Sequence, residues 1–197
     1  HRRQRQMCIR DRCRSVGIPA RFVGTPSWYN NSGNHSWVEI WDGEWHFTGA
    51  AEPTEDRLNE SWFEDRASKA EKGSDKYGIF AATWEHTDIY FPMDWLPGVK
   101  EYNAIDVTNR YKSSLVDDQF VPIRIRALDS SGNRQQVKVI IYGENNFTKQ
   151  GFSKDETCDA NDHLTFMVPK GETFTLQSKK VTKIIKADKE KLINLEI

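Results

Sequence analysis

The run GNHSWVEIWDGEWHFTG, residues 33–49, decides how the first half of this chain is read. A period of two places His35, Trp37, Glu39 and Trp41 on one face of a strand and Ser36, Val38 and Ile40 on the other. Val38 and Ile40 read as the inward side, which leaves His35 on a polar, aromatic face. Asp42-Gly43 is a strong two-residue hairpin signal, and Trp45 to Thr48 returns as a second strand. Loop length then sets what lies beside His35. A two-residue loop puts residue 35 opposite residue 50, so that Thr48, Ala50 and Glu52 share the His35 face. A three-residue loop puts Gly49 and Ala51 there, and no acid.

Upstream, SVGIPARFVGTPSW reads as a helix ending at Gly17, where glycine takes the left-handed cap, followed by a strand. Downstream, LNESWFEDRASKAEK at 58–72 has helical composition, with Leu58, Trp62 or Phe63, and Ala70 able to share a face before Gly73 stops it. Residues 77–95 are rich in aromatics and predict one or two short strands ending at Pro92. After Pro97-Gly98 the pattern changes. VPIRIRAL alternates, SSGN turns the chain into QQVKVIIYG, and HLTFMV, TFTLQS and VTKIIKA follow with turn signals between them. Short alternating runs at regular spacing predict an all-β sandwich. This half gathers no cluster of catalytic residue types, so a binding or structural module is its reading. Asp155, Asp159, Asn161 and Asp162 lack the glycine and terminal glutamate of an EF-hand and read as a solvated acidic loop rather than a calcium site.

The stretches GIPAR at 17–21 and NHSWVEIW at 34–41, with the tryptophan-led return strand from Trp45, resemble the transglutaminase-like superfamily and its peptide N-glycanase relatives. The resemblance covers about residues 13–53 and implies a papain-like α+β core. In such a core a cysteine at a helix N-terminus attacks an amide carbonyl, a strand histidine takes its proton, and an acid on the next strand orients the imidazole. A helix N-terminus and an imidazolium both favour the thiolate, which makes this chemistry physically sensible. By the resemblance, His35 is the general base. The nucleophile position, about four helical turns before the GIPAR glycine, is Arg2, which cannot attack. Cys8 is six residues on, about 9 Å along the axis and rotated by about 240°. Cys13 regains the face but about 16 Å further down, and reads as a small core residue. The acid position, four residues after Trp45, is Gly49, so Glu52, or else Thr48, is expected to hold His35. Trp28 and Trp37 are expected to wall the substrate cleft. Arg21 reads as one end of a structural salt bridge, and His46, alternating away from His35, has no assigned role.

The expected fold class is therefore α+β, a transglutaminase-like core fragment followed by an all-β sandwich of transthyretin or carboxypeptidase-regulatory type. The expected boundaries are an arm at 1–14, the first domain at 15–100, a linker at 101–117 and the sandwich at 118–197. The arm, HRRQRQMCIRDRCR, has six arginines and one aspartate and resembles translated sequencing-adapter read-through in assembled metagenomes. A net charge of −1 draws the chain to neither nucleic acid nor an anionic membrane. No apolar run approaches the ~18 residues that span a bilayer. Three cysteines make no disulfide framework and no metal spacing, so no cofactor is expected. The implied parent is a bacterial, exported enzyme, periplasmic or extracellular, acting on peptide or protein amides by cysteine acyl transfer. The other reading is a catalytically inactive module that binds peptide or glycan.

Overall fold

The computed structural model describes residues 2–49, 57–93, 96, 98–112, 119–144, 146–179 and 181–197, with side chains from Met7 onward. The chain divides into two compact units, 1–114 and 115–197.

The first unit opens with α1 (Arg2–Ser15). Its end is where glycine was expected to place it: Gly17 sits at φ 82°, and the Ile18 and Gly17 amides bond back to Cys13 and Arg14 carbonyls. Five strands follow: β1 (Ala20–Thr25), β2 (His35–Asp42), β3 (Glu44–Thr48), β4 (Phe80–Ala82) and β5 (Ala104–Asp106). They form one antiparallel sheet in the order β3-β2-β1-β4-β5. The single-turn helices α2 (Glu64–Ala67) and α3 (Thr108–Tyr111) complete the unit.

Both faces of this sheet are covered. On one, Ile9 and Cys13 of α1 pack with Ala20, Val38 and Ile40, while Phe22, Phe80, Phe91 and Ala104 cluster beside them. On the other, Val23, Trp37, Ala81 and Ile105 meet Trp28, Phe63, Ala67, Ile79 and Tyr111. The reading of β2 as inward on one side only is thereby corrected, since His35, Trp37 and Glu39 are buried as well as Val38. Gly24 belongs to this close packing. A Cβ there would lie 2.9 Å from the His35 carbonyl oxygen and 3.3 Å from the Phe91 ring.

The expected papain-like α+β core is not what folds. About 40% of the described residues are in strands and about 10% in helices, and outside α1 the described helices are single turns. The cause is local at 58–72, where a full helix was expected. Asn59 takes φ 61° and exchanges bonds with the Phe47 main chain, so it serves the β3 edge. The Ser61 amide is capped by the Glu64 carboxylate, which marks the start of winding here and not at Leu58. After Ala67 the amides of Lys69 and Ala70 bond three residues back, and the winding tightens and stops.

The second unit contains β6 (Phe120–Leu128), β7 (Lys138–Tyr142), β8 (Thr148–Phe152), β9 (Leu164–Pro169), β10 (Thr173–Ser178), β11 (Val181–Lys186) and β12 (Lys191–Glu196). A four-stranded sheet, β11-β10-β7-β8, and a three-stranded sheet, β12-β6-β9, share one aliphatic core that includes Ile123, Ile125, Val139, Ile141, Leu176 and Leu195. This is a β-sandwich. Alternation was visible in five of its seven strands; β8, and β12, which pairs parallel to β6, were not. The Lys149 side chain of β8 donates to the Met167 carbonyl of β9, and that of Lys183 of β11 to the Asn194 carbonyl of β12, one side-chain hydrogen bond between edge strands on each side of the sandwich.

The acidic loop at 155–162 is organised rather than merely solvated. Arg134 is buried, and its guanidinium donates to the carbonyls of Cys158, Asp159 and Asp162. Among the described residues no group of His, Cys, Asp or Glu gathers in a way that could hold a metal. No described helix is long and apolar enough to cross a membrane.

Candidate functional site

His35 is the first residue of β2, paired with Thr25 of β1, and is 9% exposed. Aromatic rings surround it. Trp62 meets it edge-on at 4.7 Å between centroids, Phe63 at 5.0 Å, Trp37 at 5.9 Å and Trp28 at 6.1 Å. Each ring arrives by a different route. Trp37 is two residues along the same strand, hence on the same face. Trp28 is brought back by the loop after β1, where its amide bonds the Gly33 carbonyl and Asn31 turns through φ 57°. Trp62 and Phe63 precede α2, with Arg66 of that turn stacked over Trp62 at 5.3 Å. Trp28 and Trp37, expected to line the site, do lie beside His35, but both are buried rather than walls of an open cleft.

Behind this group runs a chain of polar contacts. The Trp37 indole donates to the Tyr111 hydroxyl at 2.7 Å, and that hydroxyl donates to Glu39 Oε1 at 2.6 Å. The other carboxylate oxygen takes Arg21 Nε and Nη2, both at 2.6 Å, and the guanidinium lies 3.9 Å from the Trp45 ring centroid. The expected salt bridge of Arg21 is thus real and buried. Burial first, and then the Glu39 carboxylate, push the Tyr111 hydroxyl well above the ordinary phenol range. Glu39 is fully engaged here, so it is not available to orient His35.

The hairpin register decides the question left open by loop length. Asp42 pairs with Glu44 and Glu39 with Phe47, the three-residue-loop register. Thr48 stands opposite Val38, on the face away from His35, and period two assigns residue 49 to the His35 face, where glycine has no side chain to offer. Glu52 lies outside the described residues.

Arg2 belongs to the first turn of α1, Cys8 is exposed, and Cys13 packs under the helix with Ala20 and Val38. Arg14 Nε anchors the other end of α1 on the Ala20 carbonyl at 2.8 Å. Alternation therefore separates the candidates: α1 covers the Val38 face of β2, and the His35 ring packs on the opposite one. His46 contacts Asn59 Nδ2 through Nδ1 at 2.7 Å, a contact that ties the β3 edge.

Sequence reasoning missed Tyr111 altogether. It is 72 residues from Glu39 and carried no local signal. Trp62-Phe63 was visible as two adjacent rings, but only as one face of a helix.

Comparison with curated proteins returned no match. Two crystal structures of the C-terminal fragment of the pilus adhesin SpaC from Lactobacillus rhamnosus GG, one of them iodide-soaked, align at 9% and 8% identity. They cover 90% and 85% of this chain and 87% and 74% of theirs, both with a TM-score of 0.29, too low to carry a shared fold. A family model for the transglutaminase-like superfamily matches residues 8–50, under a quarter of the chain, from Cys8 in α1 through β1 and His35 to the end of the β2–β3 hairpin.

Proposed function

We propose that the first unit is a transglutaminase-like domain whose parent chemistry is cysteine acyl transfer on peptide or protein amides, by hydrolysis or transamidation. His35 is its general base, and the sandwich is an accompanying module of transthyretin-like type on an exported, periplasmic or extracellular protein. The observation that carries this is the position of His35. It sits within the matched stretch, at the start of β2, in contact with four aromatic rings. As it stands the chain is inert, because arginine occupies the nucleophile position and glycine the acid position. Glu52 is the proposed orienting acid, which requires the chain to leave the hairpin register after Thr48.

A thiol-reactive amide probe tests this. Cys8 and Cys13 are expected to label no faster than a free thiol. Arg2→Cys is expected to label faster, and His35→Ala in that background to lose at least about 10²-fold, with Glu52→Gln losing less. An Arg2→Cys chain that labels like a free thiol overturns the enzymatic reading for this scaffold. It would favour the second one, an inactive module that binds peptide or glycan. Two observations support that alternative: α1 and the His35 ring lie on opposite faces of β2, and residue 49 has no side chain.

A further inference from the structure

Two indole N–H groups are buried beside His35, and they differ. That of Trp37 is paired with Tyr111. That of Trp28, a residue only 1% exposed, has no hydrogen-bond partner among the described residues. An unpaired buried donor forfeits its hydration without return, and native interiors rarely tolerate one that serves nothing. Nor is Trp28 free to turn away. Its amide is bonded to Gly33, its carbonyl accepts from Asn31, and its ring packs on Trp37 and Phe63 at 6.2 Å each and on Trp62 at 6.4 Å.

We propose that the Trp28 indole N–H is the donor for a carbonyl oxygen of a peptide amide bound at His35. This rests on the peptide-amide reading above. An indole nitrogen donates and does not accept, so its complement on a ligand is an acceptor. The surrounding rings restrict which acceptor. A carboxylate would carry a full charge among apolar rings, whereas an amide carbonyl is neutral, planar and a strong acceptor. Among these rings Trp62 is half-buried, while Trp28, Trp37 and Phe63 are fully buried. Trp62 contacts both the His35 and the Trp28 rings, so the proposal requires Trp62 to move when the amide binds.

The test is a titration of the full, 15N-labelled chain with an acetyl-Gly-Gln-Gly-amide peptide, followed by NMR. The Trp28 indole signal is identified as the one missing from Trp28→Phe, a change that keeps an aromatic ring and removes the N–H. The expected result is a downfield shift of that signal at saturation, with binding weakened about tenfold in Trp28→Phe, the worth of one hydrogen bond to a carbonyl. If the peptide binds and perturbs His35 and Trp62 while the Trp28 signal stays still, or if Trp28→Phe binds equally well, the inference fails and the peptide-amide reading survives. If the peptide does not bind at all, both fail. If Trp28→Phe does not fold, the signal is assigned instead from nuclear Overhauser contacts of its indole N–H within the Trp37, Phe63 and Trp62 ring cluster, and the wild-type shift then decides the matter.

Discussion

The two units bury different things. The sandwich core is largely aliphatic, with Phe166 and Phe174 as its buried rings, and its members alternate along β6, β7 and β10. The heart of the first unit is aromatic and ionic: four rings around His35, and an Arg21–Glu39 pair closed by Tyr111. All seven tryptophans lie between residues 28 and 95, so none is in the sandwich. An aliphatic core needs only volume and pattern, and it tolerates swaps that conserve both. A buried hydrogen-bonded pair has no such latitude, because removing one partner strands the other in a place without water. The heart of the first unit is therefore more brittle than the apolar core of the sandwich, to which the buried Arg134 of the second unit does not belong.

That contrast breaks most sharply at Glu39. Glu39→Ala leaves Arg21 buried and uncompensated and is expected to cost about 3–5 kcal/mol. Tryptophan fluorescence during urea unfolding reads this directly, because it reports the first unit alone. The double change Arg21→Met with Glu39→Leu is expected to recover much of the loss; if it does not, the pair is more than a balanced burial.

Ile141→Ala is the counterpart in the sandwich, with an expected cost of about 2–5 kcal/mol for transfer and cavity together. Here the fluorescence transition should stay in place while the far-ultraviolet circular dichroism transition of the second unit moves. A shift in both would show that the units unfold together and would weaken the comparison.

Tyr111→Phe sharpens it. The ring remains, but Glu39 Oε1 and the Trp37 indole each lose a partner, for an expected cost of about 1–3 kcal/mol. A loss below about 0.5 kcal/mol would mean that the polar chain contributes little beyond packing.

The smallest effect belongs to Asp162, in the loop two residues before β9. Burial first, and the nearby Asp159 carboxylate after it, raise its carboxyl above the usual range, opposed by Lys154 at 3.7 Å and more weakly by Arg134. The stabilisation from the protonated form is complete below about pH 3.9, the unfolded value, and is lost as pH rises through the raised folded value. Asp162→Asn should flatten this dependence and leave the sandwich equally stable or up to about 1 kcal/mol more stable at pH 7. Thermal melts of both proteins from pH 4 to 8 check it, and a variant less stable at pH 7 would show that the Lys154 contact outweighs burial.

Much of the fold was legible because its signals are local. Gly17 ended a helix, Asp42-Gly43 announced a hairpin, and alternation marked β2 and most of the sandwich strands. Even the salt bridge of Arg21 was expected, though not its partner. The helix expected at 58–72 failed for a reason no composition shows: Asn59 is claimed by the edge of β3, and Trp62-Phe63 by the rings around His35.

Taken alone, the sequence determined which residues alternate, where the chain turns and that His35 shares a face with Trp37 and Glu39, since each depends on neighbours along the backbone. Only the tertiary structure decided that this face is buried, that the hairpin runs in the register that puts Gly49 and not Thr48 on it, and that Tyr111 closes the Glu39 pair. It alone also set α1 across β2 from the His35 ring and β12 parallel beside β6. Those outcomes depend on contacts between residues tens of positions apart, where packing and the pairing of buried polar groups choose among arrangements that the local pattern permits equally.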